Sequence, residues 1–412
     1  MKKIIISLFC LLSGAAFAQN PGVGKASAEP VLFYNAHIFT GKGAEHASGS
    51  MLIEKGLIKE VSASDLSAKY PNARKVNVEG KHIYPGIISP ANTLGLAEIE
   101  SSRPTLDYNE MGDYNPNVRA LIAYNTDSEV IPTVRGNGVL ITQAAPSGGI
   151  ISGRSSIFNL DGWNWEDAVL KADDGLWLNW PRRMTASFNF ETMSRELRKN
   201  ERYQKTVDEL RELFAQSVAQ KAGGGQYDNL KLTALQGILT GDQRLYIQAG
   251  TDKEVIEAIN FCKEVGVKYP VVVGTVSSEL AIQTLKENNV PIIVSPTHRL
   301  PDRPDSDVWE AYKLPAYLVK KGLTVGLHYN DSYWRTRNLP FVAGNTVAHG
   351  LTKAEALALI TSSNAKILGI DQWAGSLEAG KHATFVISEG DIMDMRTGKV
   401  TRAFIRGAEV NL

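Results

Sequence analysis

Gly80-Lys81-His82-Ile83-Tyr84-Pro85-Gly86-Ile87-Ile88 is the seam at which the texture of the chain changes. Before it, short apolar runs alternate with turns. Val31-Leu32-Phe33-Tyr34 precedes a polar, Gly-rich stretch, and Met51-Leu52-Ile53 and Leu57-Ile58 flank Glu54-Lys55-Gly56, a hairpin signal. Val76-Asn77-Val78 then leads into the seam, so residues 31–85 read as a small β unit.

After the seam, strand and helix patterns alternate to about Gly369. Val139 to Gln143, Leu245 to Gln248, Val271 to Val273, Pro291 to Val294 and Leu323 to Leu327 are short apolar runs of the buried-strand type. Helical stretches at Lys253 to Val265, Ser277 to Asn288 and Asp307 to Lys321 lie between or beside them; Val255, Ile256, Ile259 and Cys262 share one face of the first. Strand, helix, strand at this spacing predicts parallel pairing with right-handed crossovers. A closed barrel and an open doubly wound sheet both fit. No Gly-x-Gly-x-x-Gly turn follows a strand, which weakens the dinucleotide-binding form of the open sheet. Glu191 to Ala222 reads as a long charged helix with Tyr203, Val207, Leu210, Phe214 and Val218 as its inner stripe, ended by Gly223-Gly224-Gly225. From about Gly375 strands return at Ala383 to Ser388 and Val400 to Arg406, so both termini share one β style around an α/β middle.

Composition sets outer bounds. The 412 residues are 43% apolar and 21% charged, with 44 basic and 44 acidic side chains. That excludes dominant disorder, and the absence of a basic surplus argues against nucleic-acid binding. No apolar run reaches the length of a membrane span. Lys2 and Lys3, the greasy Ile4 to Leu12 and Ala16-Phe17-Ala18 have the order of a cleavable export signal over residues 1–18. The expectation is a periplasmic or secreted protein. Cys10 leaves with the signal, so Cys262 remains alone and no internal disulfide forms.

Here the sequence resembles a family. The seam is similar to the segment of amidohydrolases in which a strand of the β domain passes through Pro-Gly into the first barrel strand. Gly375-Ser376-Leu377-Glu378-Ala379-Gly380-Lys381-His382-Ala383-Thr384-Phe385-Val386 resembles that superfamily's return to the β domain. Arg337 to Phe341, Ala348 to Leu351 and Glu355 to Ile370 are similar to the last barrel helices of the imidazolonepropionase-like branch, and Asn115 to Ser128 resembles exported members of it. The resemblance implies a TIM-type (β/α)8 barrel over 86–370, with a small β-sandwich-like domain built from both termini, 19–85 and 371–412.

The same resemblance implies chemistry that these residues do not carry. Amidohydrolases hydrolyse C–N or related bonds with one or two divalent metals at the C-terminal mouth of the barrel, where the metal activates water. A His-x-His pair ends the first strand in that family. The matching positions are Ala91 and Thr93, with Asn92 between them. Gln248 and Val273 match two later histidines, and Asn330 or Asp331 matches the aspartate of the eighth strand. A methyl group and a hydroxyl cannot replace imidazole ligands, so the usual metal site is expected to be absent.

Two readings follow. In the first, the protein is a degenerate member that binds a small molecule, Asn92, Thr93, Gln248, Arg154 and Asn330 being substrate-binding candidates. It pairs with itself or with an active relative, and needs no cofactor. In the second, Asp331, His328 and His298 form a reduced catalytic site that still hydrolyses cyclic amides, imidazolones or peptide-like C–N bonds, with zinc as cofactor. The bland alternative makes His298 and His328 polar rim residues. Ser147-Gly148-Gly149 to Ser156, with Arg154, reads as an anion cradle or a plain glycine-rich βα turn. Trp163, Trp165, Trp177 and Trp180, with Asp161, Asp167, Asp173 and Asp174, read as a stacking surface or a packed insertion over the barrel.

Overall fold

The hairpin turn at Lys55-Gly56 shows how local chemistry starts the fold. Lys55 and Gly56 take left-handed φ angles of 51° and 79°, as a two-residue turn matched to strand twist requires. In the computed structural model, which describes residues 22–189, 193–223, 229–295, 297–301, 305–329 and 332–412, this turn joins β2 (Glu45–Glu54) to β3 (Leu57–Ser62). The expected signal segment lies outside the described residues. Strand β1 (Val31–Phe39) pairs antiparallel with β2. Its first half runs parallel to β4 (Arg74–Asn77) and its second half parallel to β5 (His82–Pro85). Asn35, at φ 53°, lies between the two halves.

Gly86 links β5 to β6 (Ile87–Asn92). A Cβ there would lie 2.9 Å from Thr384 Cγ2 and 3.1 Å from Leu140 Cβ, so only glycine lets the two sheets meet this closely. The barrel continues through β7 (Val139–Ala144), β8 (Ile151–Asn159) and β9 (Val169–Asn179). The hairpin β10 (Met184–Asn189) and β11 (Ser194–Lys199) stands outside it. Strands β12 (Arg244–Gln248), β13 (Pro270–Gly274), β14 (Ile292–Val294) and β15 (Val325–Leu327) complete an eight-stranded, nearly closed sheet in the order β15-β14-β13-β12-β9-β8-β7-β6. Helices Asp252–Val265, Glu279–Glu287 and Glu310–Lys320 follow β12, β13 and β14 as crossovers. The first is capped by Thr251, whose side chain accepts the Glu254 N–H, and ends at Gly266 with φ 82°.

The barrel holds, and one strand departs from the all-parallel expectation. β8 is antiparallel to both neighbours, and the other seven strands run the same way. The Gly-rich stretch after β7 is therefore the bend of a β-hairpin rather than a βα turn. The long helix also begins later than read from the sequence, at Tyr203. Ser194 to Lys199 is extended because it pairs across β10, and that ladder overrides a helical charge pattern. Val207, Leu210 and Phe214 are buried as expected, but Val218 is exposed and Ser217 lies inside.

Between β15 and β6 the described residues form no backbone ladder. The side chain of Asn364, from the helix Ser362–Leu368, fills the seam: its Nδ2 donates to Leu327 O and to Ile88 O, both at 2.9 Å. Inside the barrel, Ile88, Ile141, Trp177, Tyr246, Val271 and Ile293 belong to one apolar cluster. Outward-facing Leu140, Leu176 and Leu245 join the larger core. Each such side chain contributes about 1.5–3 kcal/mol by burial.

The chain returns through β16 (Phe385–Ser388), β17 (Val400–Ile405) and β18 (Ala408–Val410), which extend the terminal sheet from β5. Eight strands from both termini thus share one hydrogen-bonded sheet. Within it Phe33 meets Phe385 and Phe404 edge-on, with ring centroids 5.2 Å apart in each case.

Candidate binding site at the barrel mouth

The C-terminal ends of parallel barrel strands collect their loops at one face, where ligands bind in such folds. Here Ala91, Asn92, Thr93, Trp177, Gln248 and Tyr329 line a cavity of about 120 Å³. Ala91 takes a left-handed φ of 57°, which costs a residue with a Cβ roughly 1–3 kcal/mol. Its N–H is held by Gln143 Oε1 at 3.0 Å. Asn92 faces inward to the protein: Nδ2 donates to Ser89 Oγ and Thr142 Oγ1, both at 2.9 Å, and Oδ1 accepts the Leu94 N–H. Thr93 and Gln248 keep their polar groups at the mouth.

Below the mouth lies a buried polar hub that sequence reading missed. Asp174 on β9 is fully buried and accepts hydrogen bonds from Gln143 Nε2 at 2.8 Å, Ser155 Oγ at 2.8 Å and the Tyr246 hydroxyl at 2.7 Å. Burial pushes the carboxyl's pKa up, and the three donors and nearby Lys171 oppose that shift. Through Gln143 the hub also reaches Ala91, so it joins β6, β7, β8, β9 and β12. The ring of Trp177 stacks on Tyr246 at 5.0 Å.

A second set of buried polar atoms is unpaired. Among the described residues, Trp177 Nε1, Ser295 Oγ and both ring nitrogens of His328 have no hydrogen-bond partner. Ser295 and His328 each follow the paired residues Val294 and Leu327 on neighbouring strands, and the His328 N–H donates to Val294 O at 3.3 Å. His328 is therefore not a rim residue. It is 2% exposed, and burial drives its pKa down to about 3, so the ring is neutral.

The remaining sequence candidates separate. His298 is exposed and its Nδ1 is hydrogen-bonded to the Tyr312 hydroxyl. Arg154 is committed to Asp173, which also takes Arg119 at 2.8 Å, and to Asn117 O. Trp163 is exposed, whereas Trp177 and Trp180 are buried in the fold. Asn330 and Asp331 lie outside the described residues.

This donor set does not suit the superfamily's metal. Zinc is held by imidazole, thiolate or carboxylate ligands. The first-strand positions are a methyl and a hydroxyl, Gln248 adds a neutral amide, and Val273 is buried and apolar. Among the described residues no group of three or more His, Cys, Asp or Glu side chains is arranged to hold a metal ion.

Residues 243–410 match the model of the amidohydrolase family. Comparison with curated proteins gives no match. Among solved structures, an amidohydrolase from Thermotoga maritima MSB8 is similar with a TM-score of 0.79 and 21% identity, over 92% of this chain and 99% of that one. Phenylurea hydrolase B is similar at 0.55 and 14%, over 93% and 97%. A Xaa-Pro dipeptidase with methionine bound in its active site is similar at 0.52 and 13%, over 92% and 99%. At such identities the likeness is one of fold. Residues 243–410, which span the C-terminal half of the barrel and the final strands, thus match the amidohydrolase family, and nearly the whole chain shares its fold with these solved structures.

Proposed function

We propose that the chain is an exported, catalytically degenerate amidohydrolase-superfamily protein that binds a small molecule at the barrel mouth, on its own or paired with an active relative. The observation that carries this reading is the substitution of Ala91, Thr93, Gln248 and Val273 at strand ends where the resemblance calls for imidazole ligands. Without such ligands, water at the mouth keeps its ordinary acidity and the scissile carbonyl has no Lewis acid. The lining instead offers hydroxyls, one amide and aromatic faces, a mixture suited to orienting a ligand.

A second reading, a reduced hydrolase built on His298, His328 and Asp331, draws on the unpartnered ring of His328. Elemental analysis of the purified mature protein separates the two. The binding reading expects no stoichiometric zinc and no turnover on a panel of lactams, imidazolones and dipeptides. One zinc per chain, lost in both His328→Phe and Asp331→Ala, would overturn it. Export has its own check: protein from the periplasmic fraction should begin at Gln19.

A further inference from the structure

The hairpin β10–β11 is rooted firmly at its base. The Arg183 N–H donates to Glu254 Oε1 at 2.7 Å, and its guanidinium pairs with Glu257 on the same helix, Asp252–Val265. Asn200 closes the base from the other strand, its N–H donating to Arg183 O at 2.8 Å and its Nδ2 to Arg182 O at 2.7 Å. Beyond that base, among the described residues, the two strands pair only with each other.

Along β10, Met184, Ala186 and Phe188 alternate with Thr185, Ser187 and Asn189. Alternation with a period of two is the mark of a strand that buries one face. The structure places the faces the other way round. Met184 is 47% exposed, Phe188 45% and Leu197, which lies opposite Ala186, 71%; Met193, just before β11, is 72% exposed. Ser187 and Glu196, also opposite one another, are the half-buried pair. A hairpin that turns its apolar side to water and a polar pair toward the protein has the surface of an interaction site.

Charge narrows the choice of what covers that face. Residues 182–205 carry seven Lys or Arg against three Glu, in a chain whose formal net charge is zero. In the ladder Lys199 stands opposite Met184 and Arg195 opposite Phe188, so basic residues bracket the apolar stretch. Arg182 and Lys199 are exposed and form no ion pair among the described residues. A second copy laid on this face would bring cations against cations, which opposes pairing. A surface with acidic groups above an apolar layer satisfies both features at once.

We propose that the exposed face of this hairpin docks on an anionic lipid surface, with Met184, Phe188, Met193 and Leu197 entering the head-group boundary and Arg182 and Lys199 meeting acidic head groups. Among the described residues no helix is long and apolar enough to cross a membrane, so the association is peripheral. The site is separate from the barrel mouth and does not depend on the reading given for it.

Flotation of the full mature protein with lipid vesicles tests the assignment. Vesicles of phosphatidylcholine with about one-third phosphatidylglycerol should bind it about tenfold more tightly than pure phosphatidylcholine, and raised salt should release it. Met193→Ser/Leu197→Ser and, separately, Arg182→Glu/Lys199→Glu should each weaken binding by about tenfold. Both double variants change exposed side chains and should keep the parent's melting temperature. No binding to the acidic vesicles, equal binding to both vesicle types, or unchanged binding in either variant would overturn the proposal. So would vesicle-free protein that sediments as a dimer and becomes a monomer in Met193→Ser/Leu197→Ser, since the face would then belong to a second copy.

Discussion

The barrel interior holds two sets of buried polar side chains that have opposite fates. Around Asp174, Gln143, Ser155 and Tyr246 donate three hydrogen bonds of 2.7–2.8 Å to one carboxylate. Just past β14 and β15, and on β9, Ser295, His328 and Trp177 are also buried and leave polar atoms unmet among the described residues. Both sets have been taken out of water, and only the first is compensated by protein partners. The contrast assigns the hub to holding strands together and leaves the second set free of any evident structural duty. In this barrel a buried, hydrogen-bonded carboxylate ties β7, β8, β9 and β12 together.

The largest test of that contrast is Asp174→Ala. It strands three buried donors at once, and the expected loss is about 3 kcal/mol or more, read from urea denaturation of the mature protein. A variant as stable as the parent would deny the hub its role.

The second test exploits the buried imidazole. The His328 pKa is about 3 in the fold, against about 6.5 in an unfolded chain. Between those values the unfolded chain takes up the proton and the fold does not. The stability linked to this neutral ring is therefore complete above about pH 6.5 and is lost as the pH falls toward 3. Relative to His328→Phe, the parent should lose about 1.4 kcal/mol per pH unit between pH 6 and 4. Asp174, whose raised pKa acts in the opposite direction, is common to both proteins and drops out of the difference. Parallel stability curves would mean that His328 is solvated or paired in solution.

The smallest test sets two serines side by side. Ser155→Ala removes a donor to Asp174 and should cost about 1–2 kcal/mol. Ser295→Ala removes a hydroxyl that no described residue uses, and should change stability by less than about 0.5 kcal/mol. Equal losses would erase the distinction between the two sets.

Legibility in the sequence followed the kind of residue each strand carries. Strands β7, β12 and β13 announce themselves as apolar runs because both faces are buried. Strands β8 and β9 do not, since their inward positions carry Ser155, Asp174 and Gly175, which interrupt the apolar signal. The same residues build the hub, so the feature that hid these strands is the one that gives them their role. The alternation Leu176-Trp177-Leu178 at the end of β9 was the available sign of a strand. Its reading was masked by the surrounding tryptophans and aspartates. At the mouth, the place of Ala91 and Thr93 at the end of the first barrel strand was legible by counting from Pro85-Gly86. That Asn92 turns away into Ser89 and Thr142 was not.

From its own residues the sequence determined the two-ended β unit, the alternating middle, and the turns at Lys55-Gly56 and Pro85-Gly86. Each of these rests on backbone preference or on the chemistry of neighbours a few residues apart. Tertiary structure alone decided the antiparallel run of β8, the closing of the seam by Asn364, the meeting of Asp174 with Tyr246, and the burial of His328. These depend on which side chains a folded barrel presses together across separations such as the 72 residues between Asp174 and Tyr246. A linear pattern carries the type of each group and the face it prefers, but the partner is chosen only when burial removes water as the alternative.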